Sequence, residues 1–124
     1  MKELIAKFVN LESELSDKHG SFALFGLFIR QDVQDLWDVV LSAKWIGKDK
    51  KKVLQEIVKK LKKNLTNQET TKISRIVILE ITDPFVINVN SVIRVEHNVT
   101  EFVDCIFNNM MIKHAYIITS IRTT

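Results

Sequence analysis

Phe22-Ala23-Leu24-Phe25-Gly26-Leu27-Phe28-Ile29 carries no polar side chain on either of the two faces that alternate along a strand. It is the longest apolar run of the chain, far short of the ~18–20 residues that cross a bilayer. A strand of this kind sits centrally and must be covered on both sides. Arg30 to Asp35 is a polar connector, and β character resumes from Leu36 to Ala43. There Trp37, Val39, Leu41 and Ala43 share one face while Asp38 and Ser42 point away, so the two runs predict an antiparallel hairpin with a longer loop.

Outward from this hairpin the period changes. Leu4, Phe8, Leu11 and Leu15 recur at helical spacing, with polar residues including Glu12 between them, and Gly20 supplies a cap. This predicts a helix over 2–18. Past a turn at Gly47, Val53, Leu54, Ile57, Val58, Leu61 and Leu65 trace a second stripe, over 49–65 with Asp49 at its N-cap. Thr66 to Lys72 has no period and is expected to be a loop; Ser74 to Ile81 is a strand. Asp83-Pro84 favours a short helix near 84–92, although Phe85, Ile87, Val89, Ile93 and Val95 fit a strand nearly as well. Val99 to Phe107, an Asn108-Asn109 turn and Ile112 to Ile121 form a second hairpin.

The predicted fold is a single α+β domain over 1–124. It has about five mostly antiparallel strands, the 2–18 and 49–65 helices on one face, and the short third helix near 84–92. Two long helices hide only one face of strands that are apolar on both. The other face is closed either by a second copy of the chain, a homodimer, or by the third helix and the loops.

A chain of 124 residues with 46% hydrophobic and 27% charged side chains and only three glycines is neither a disordered segment nor a linker. The N-terminal residues mix charges with apolar groups and lack a signal-peptide pattern. Cys105 has no partner for a disulfide, which predicts a reducing, cytoplasmic setting. No membrane partner is expected.

Charge is unevenly placed. Between Lys48 and Lys63 eight lysines face only Asp49 and Glu56, a local +6 in a chain whose total is +3, so everything else sums to −3. Lys50, Lys51 and Lys52 fall in the first turn of the second helix, where the dipole disfavours cations. With Lys48 and the helix N–H groups they form a candidate anion cradle, and Trp45 stands just before it as a possible stacking platform. An acidic protein or a nucleic acid would be the partner; the plain alternative is a solvated lysine-rich face. Arginine, the best phosphate fork, is absent from this segment, and no nucleic-acid-binding motif occurs.

Catalytic signals are sparse. Glu96, His97, Asp104 and His114 form the only polar cluster a folded C-terminal hairpin could gather, without any metal-ligand spacing. Glu80, Asp83, Glu96, Asp104 and Lys113 supply residue types of a metal-dependent nuclease, again without its spacing. Cys105 lies inside a strand pattern, with His114 the one histidine in the adjoining strand. The sequence thus predicts a non-enzymatic binding module with no cofactor, whose basic helix meets an acidic partner. The alternative is a metal-dependent hydrolase or nuclease using the C-terminal acids and histidines.

Overall fold

A computed structural model describes residues 1–30 and 35–122; most of the connector expected over 30–35 lies outside the described residues. The elements run α1 (Lys2–His19), β1 (Leu24–Arg30), β2 (Trp37–Ser42), α2 (Lys50–Asn64), α3 (Asn67–Thr70), β3 (Ile73–Ile78), α4 (Pro84–Val92), β4 (Thr100–Phe107) and β5 (Met110–Ser120). The protein is α+β, with one five-stranded sheet in the order β3-β2-β1-β5-β4. The apolar run that opens the reading is the central strand.

Alternation along β1 sends neighbouring side chains into different cores. Phe25 and Leu27 meet Leu4, Phe8, Leu11 and Leu15 of α1 and Val53 and Ile57 of α2. Leu24 and Phe28 meet Phe85, Val86 and Val89 of α4, together with Ile117 of β5. Each such side chain contributes about 1.5–3 kcal/mol when fully buried. The two long helices share one face, as expected, and α4 packs on the other. The third helix therefore covers much of the face for which a second copy was the competing explanation.

The sheet is mostly antiparallel, as expected: the first hairpin sets Leu24 against Ser42, and one pairing, β3 on β2, is parallel, Val39 facing Ile76. A helix must carry the chain back between parallel strands, and α2 does so. Thr66 to Lys72 is not wholly loop: Thr66 Oγ1 accepts the Glu69 N–H at 3.1 Å and Glu69 accepts the Thr66 N–H at 2.9 Å. This capping box closes the four-residue α3. Asp38 and Ser42 belong to the face away from Trp37, Val39 and Leu41, as expected, and both are buried. The Asp83-Pro84 start holds: Asp83 accepts the Phe85 N–H at 2.9 Å, with Pro84 in the first turn. Asn108 and Asn109 both take positive φ, 49° and 61°, the geometry of a two-residue hairpin turn.

The pairing register of β1 on β5 shifts between Phe25 and Gly26. A Cβ at Gly26 would lie 2.9 Å from Phe28 Cε2 and 3.1 Å from the Tyr116 carbonyl oxygen. Gly26→Val is therefore expected to destabilise the protein by about 1–3 kcal/mol, the usual cost of overpacking. A lowered denaturant midpoint with an unchanged slope checks this.

Candidate functional site

Helix α2 begins without the usual support. Asp49 occupies the N-cap, but its side chain makes no capping hydrogen bond, and the first turn holds no acidic residue. Lys48, Lys50, Lys51 and Lys52 are all exposed. Lys50 Nζ pairs with Glu80 Oε1 at 2.8 Å; the other three have no ion-pair partner among the described residues. The lysines thus add their charge to a helix end that is already electropositive.

The topology places something beside this helix that the sequence did not reveal. Strand β3 is an edge of the sheet and pairs only with β2. Ile73, Ser74, Arg75 and Ile76 of β3 border a groove whose other wall is Leu54, Val58 and Leu61 of α2 and Leu65 just past its end. Because β3 pairs on one side only, the groove lies beside the strand's free edge. Lys62 borders it as well, and Lys51 stands three residues before Leu54, on the same side of the helix. The Lys50–Glu80 pair ties the start of α2 to the end of β3, so helix and strand run in opposite directions. Leu54 is 37% exposed, an apolar side chain with no neighbour to cover it fully.

The remaining candidates lie elsewhere. Trp45 is half-buried, stacked on His19 at 4.5 Å between centroids and edge-on to Phe22 at 5.5 Å. It belongs to the packing around the end of α1 rather than to a platform beside the lysines. Of Glu96, His97, Asp104 and His114 only the first two meet, Glu96 Oε2 lying 3.6 Å from His97 Nε2, and the four do not converge. His114 Nε2 meets Glu101 Oε2 at 2.6 Å, and its ring packs 5.3 Å from Trp37. Asp104 is exposed with φ 51°, at a position the β4–β5 ladder skips. Cys105 faces Ile112, not His114, and burial pushes its thiol pKa up, away from thiolate chemistry. Glu80 and Lys113 are in ion pairs with Lys50 and Asp35, and Asp83 caps α4. Among the described residues no three His, Cys, Asp or Glu side chains gather as a metal ion would need.

His97 instead joins a constellation built on Glu12, which the sequence reading left among the polar gaps of α1. Glu12 follows Phe8 by four residues and precedes Leu15 by three, so it lies on the buried stripe, and it is fully buried. Its Oε1 is 2.7 Å from His97 Nδ1, and its Oε2 accepts from Thr119 Oγ1 at 2.8 Å. Thr119 Oγ1 in turn accepts the His97 backbone N–H at 3.1 Å, where His97 takes φ 51°.

No protein family, curated protein or solved structure matches the chain, so the functional reading rests on these residues.

The hydrogen bond to Glu12 holds the His97 pKa above its ordinary 6.5, against the opposing effect of burial. Protonated His97 binds its proton more tightly folded than unfolded. Its contribution to stability is complete below pH of about 6.5 and is lost as pH rises through the higher folded value. The denaturation midpoint is expected to decline from neutral to mildly alkaline pH, and His97→Gln to flatten that decline. An NMR titration of the imidazole checks the cause: Glu12→Gln should bring the His97 pKa down.

Proposed function

We propose that the protein is a non-enzymatic interaction module that takes an acidic, extended segment of a partner protein along the α2–β3 edge. One observation carries the reading. The basic helix lies beside a free strand edge, with an apolar groove between them. An incoming strand would complete the backbone hydrogen bonding of β3, as in other cases of strand addition. Alternate apolar side chains would enter between Leu54, Val58, Leu61 and Ile76. Acidic residues would meet Lys48, Lys51 and Lys62, in the segment that holds the chain's whole basic surplus. A nucleic acid fits less well, since Trp45 is engaged with His19 and Phe22 and no aromatic side chain lines the groove among the described residues. The free thiol of Cys105 accords with a cytoplasmic setting.

The test uses a labelled peptide alternating glutamate and valine, its lysine–valine counterpart, and a single-stranded oligonucleotide. Anisotropy should rise with the acidic peptide alone and weaken steeply with salt. Amide exchange should slow in β3. Charge reversal of Lys50, Lys51 and Lys52 should weaken binding at least about tenfold, a loss typical of removing several charge pairs, while Lys59→Glu changes it little. Binding of the oligonucleotide in place of the peptide, or unchanged exchange in β3, overturns the proposal.

A second reading concerns the far edge. Val103 and Ile106 of β4 and Met111 of β5 are more than half exposed, and β4 is the other free edge of the sheet. We infer that two copies meet there in a two-fold homodimer. Light scattering should then give twice the 14.4 kDa chain mass; a monomer at every concentration from micromolar upward overturns it.

A further inference from the structure

The face that α4 covers carries a separate site. Arg30 ends β1, Asp38 lies in β2 and Arg75 in β3, on three neighbouring strands. Register sets Phe28 against Asp38 and Asp38 against Arg75, so strand pairing alone gathers the group. Asp38 is 4% exposed. Arg75 Nε stands 3.2 Å from its Oδ1, and Arg75 Nη2 donates to Oδ2 at 3.2 Å. Arg30 Nε lies 3.3 Å from Oδ2. A single carboxylate shared by two guanidiniums takes only a minority of their N–H donors. Arg30 Nε is shut from solvent with no hydrogen bond among the described residues.

These three side chains border a pocket of about 210 Å³ walled by Phe28, Val40, Val77, Leu79, Phe85 and Ile112. Asp83 borders it too, its Oδ1 accepting the Phe85 N–H at the start of α4, so two carboxylates face two arginines. The Arg30 and Arg75 side chains are 29% and 52% exposed, so both guanidiniums stay accessible at the pocket. We propose that this pocket binds a small monocarboxylic acid, its apolar body against Phe28, Val77 and Phe85 and its carboxylate forked by Arg30 and Arg75. A planar carboxylate matches parallel guanidinium N–H bonds. Its single charge is repelled less by Asp38 and Asp83 than the nearly two charges of a phosphomonoester. At about 210 Å³ the space is smaller than the ~300–1,000 Å³ that holds drug-sized ligands, which points to acids the size of benzoate or a branched short-chain acid. Asp38 acts as a positioning residue, holding both guanidiniums in place before the ligand arrives.

The test titrates the intact protein with benzoate, phenylacetate and isovalerate, with phenylacetamide and phenyl phosphate as comparisons, by amide-proton NMR. The carboxylates should give saturable shifts at Phe28, Val77 and Phe85. The neutral amide should bind at least about tenfold more weakly, the least expected when a charge-assisted pair is lost. Arg30→Gln and Arg75→Gln should each weaken phenylacetate by a similar factor, while Lys62→Gln, which borders the other groove, changes nothing. Absence of saturable shifts with all three acids overturns the proposal, as does amide binding equal to that of the acid. Tighter binding of phenyl phosphate overturns the assignment to carboxylates. The acid-against-amide comparison needs no variant, so it decides the matter even if an arginine substitution impairs folding.

Discussion

The burial of β1 on both faces is the constraint on which the rest of the molecule depends. From Leu24 to Ile29 every side chain is buried, so the strand is stable only with neighbours on both edges and layers above and below. Hairpin partners β2 and β5 supply the edges. Helices α1 and α2 supply one layer and α4 the other. The short α4 would be marginal alone, since isolated helices under ~12–15 residues rarely hold in water. It holds because Phe85, Val86 and Val89 are driven onto Leu24 and Phe28. Asn90 secures it further, donating to the Ala23 carbonyl and to Ser120 Oγ, each at 2.9 Å.

Both proposed sites follow from how the chain leaves that hairpin. After β2 it crosses one face as α2 and returns as β3, parallel to β2 and outermost in the sheet. The crossover helix of such a unit necessarily runs alongside its second strand, and here that strand has no further neighbour. A basic helix and a free edge are thereby brought together by connectivity, with Leu54 and Val58 between them. The same step carries Arg75 next to Asp38, so one connection builds the groove on the edge and the arginine pocket on the far face.

Local chemistry made most elements legible in the sequence, and pairing between distant segments did not. The stripe of Leu4, Phe8, Leu11 and Leu15, the Asp83-Pro84 start and the Asn108-Asn109 turn each carry their physical cause within a few residues. Capping at Thr66 and Glu69 was equally local, but a four-residue helix leaves no hydrophobic period to notice. The lysine excess was plain. Its setting was not, because the parallel pairing of β2 with β3 depends on α2 packing across the sheet. Arg30, Asp38 and Arg75 lie far apart in the chain and share no spacing; only register unites them. Glu12 was visible in principle, since its position relative to Phe8 and Leu15 puts it on the buried stripe.

Among the described residues Glu12 and Asp38 are the two buried carboxylates, one beneath α1 and one on the α4 face, and their surroundings differ in a way that bears on function. Taking a carboxylate out of water costs several kcal/mol, which its partners only about repay, so neither group is explained by stability alone. Each fixes register. Glu12 seats α1 against Thr119 of β5 and the His97 segment, and Asp38 locks β1, β2 and β3 together through two arginines. Glu12 has a partner on each oxygen, and its network closes on itself. Around Asp38 the donors outnumber the acceptors, and the surplus borders an apolar pocket. A buried donor without an acceptor destabilises the empty protein by about 1–3 kcal/mol, and a ligand that supplies the acceptor relieves it. The imbalance that makes this corner of the fold less stable when empty is therefore the same feature that favours an anion there.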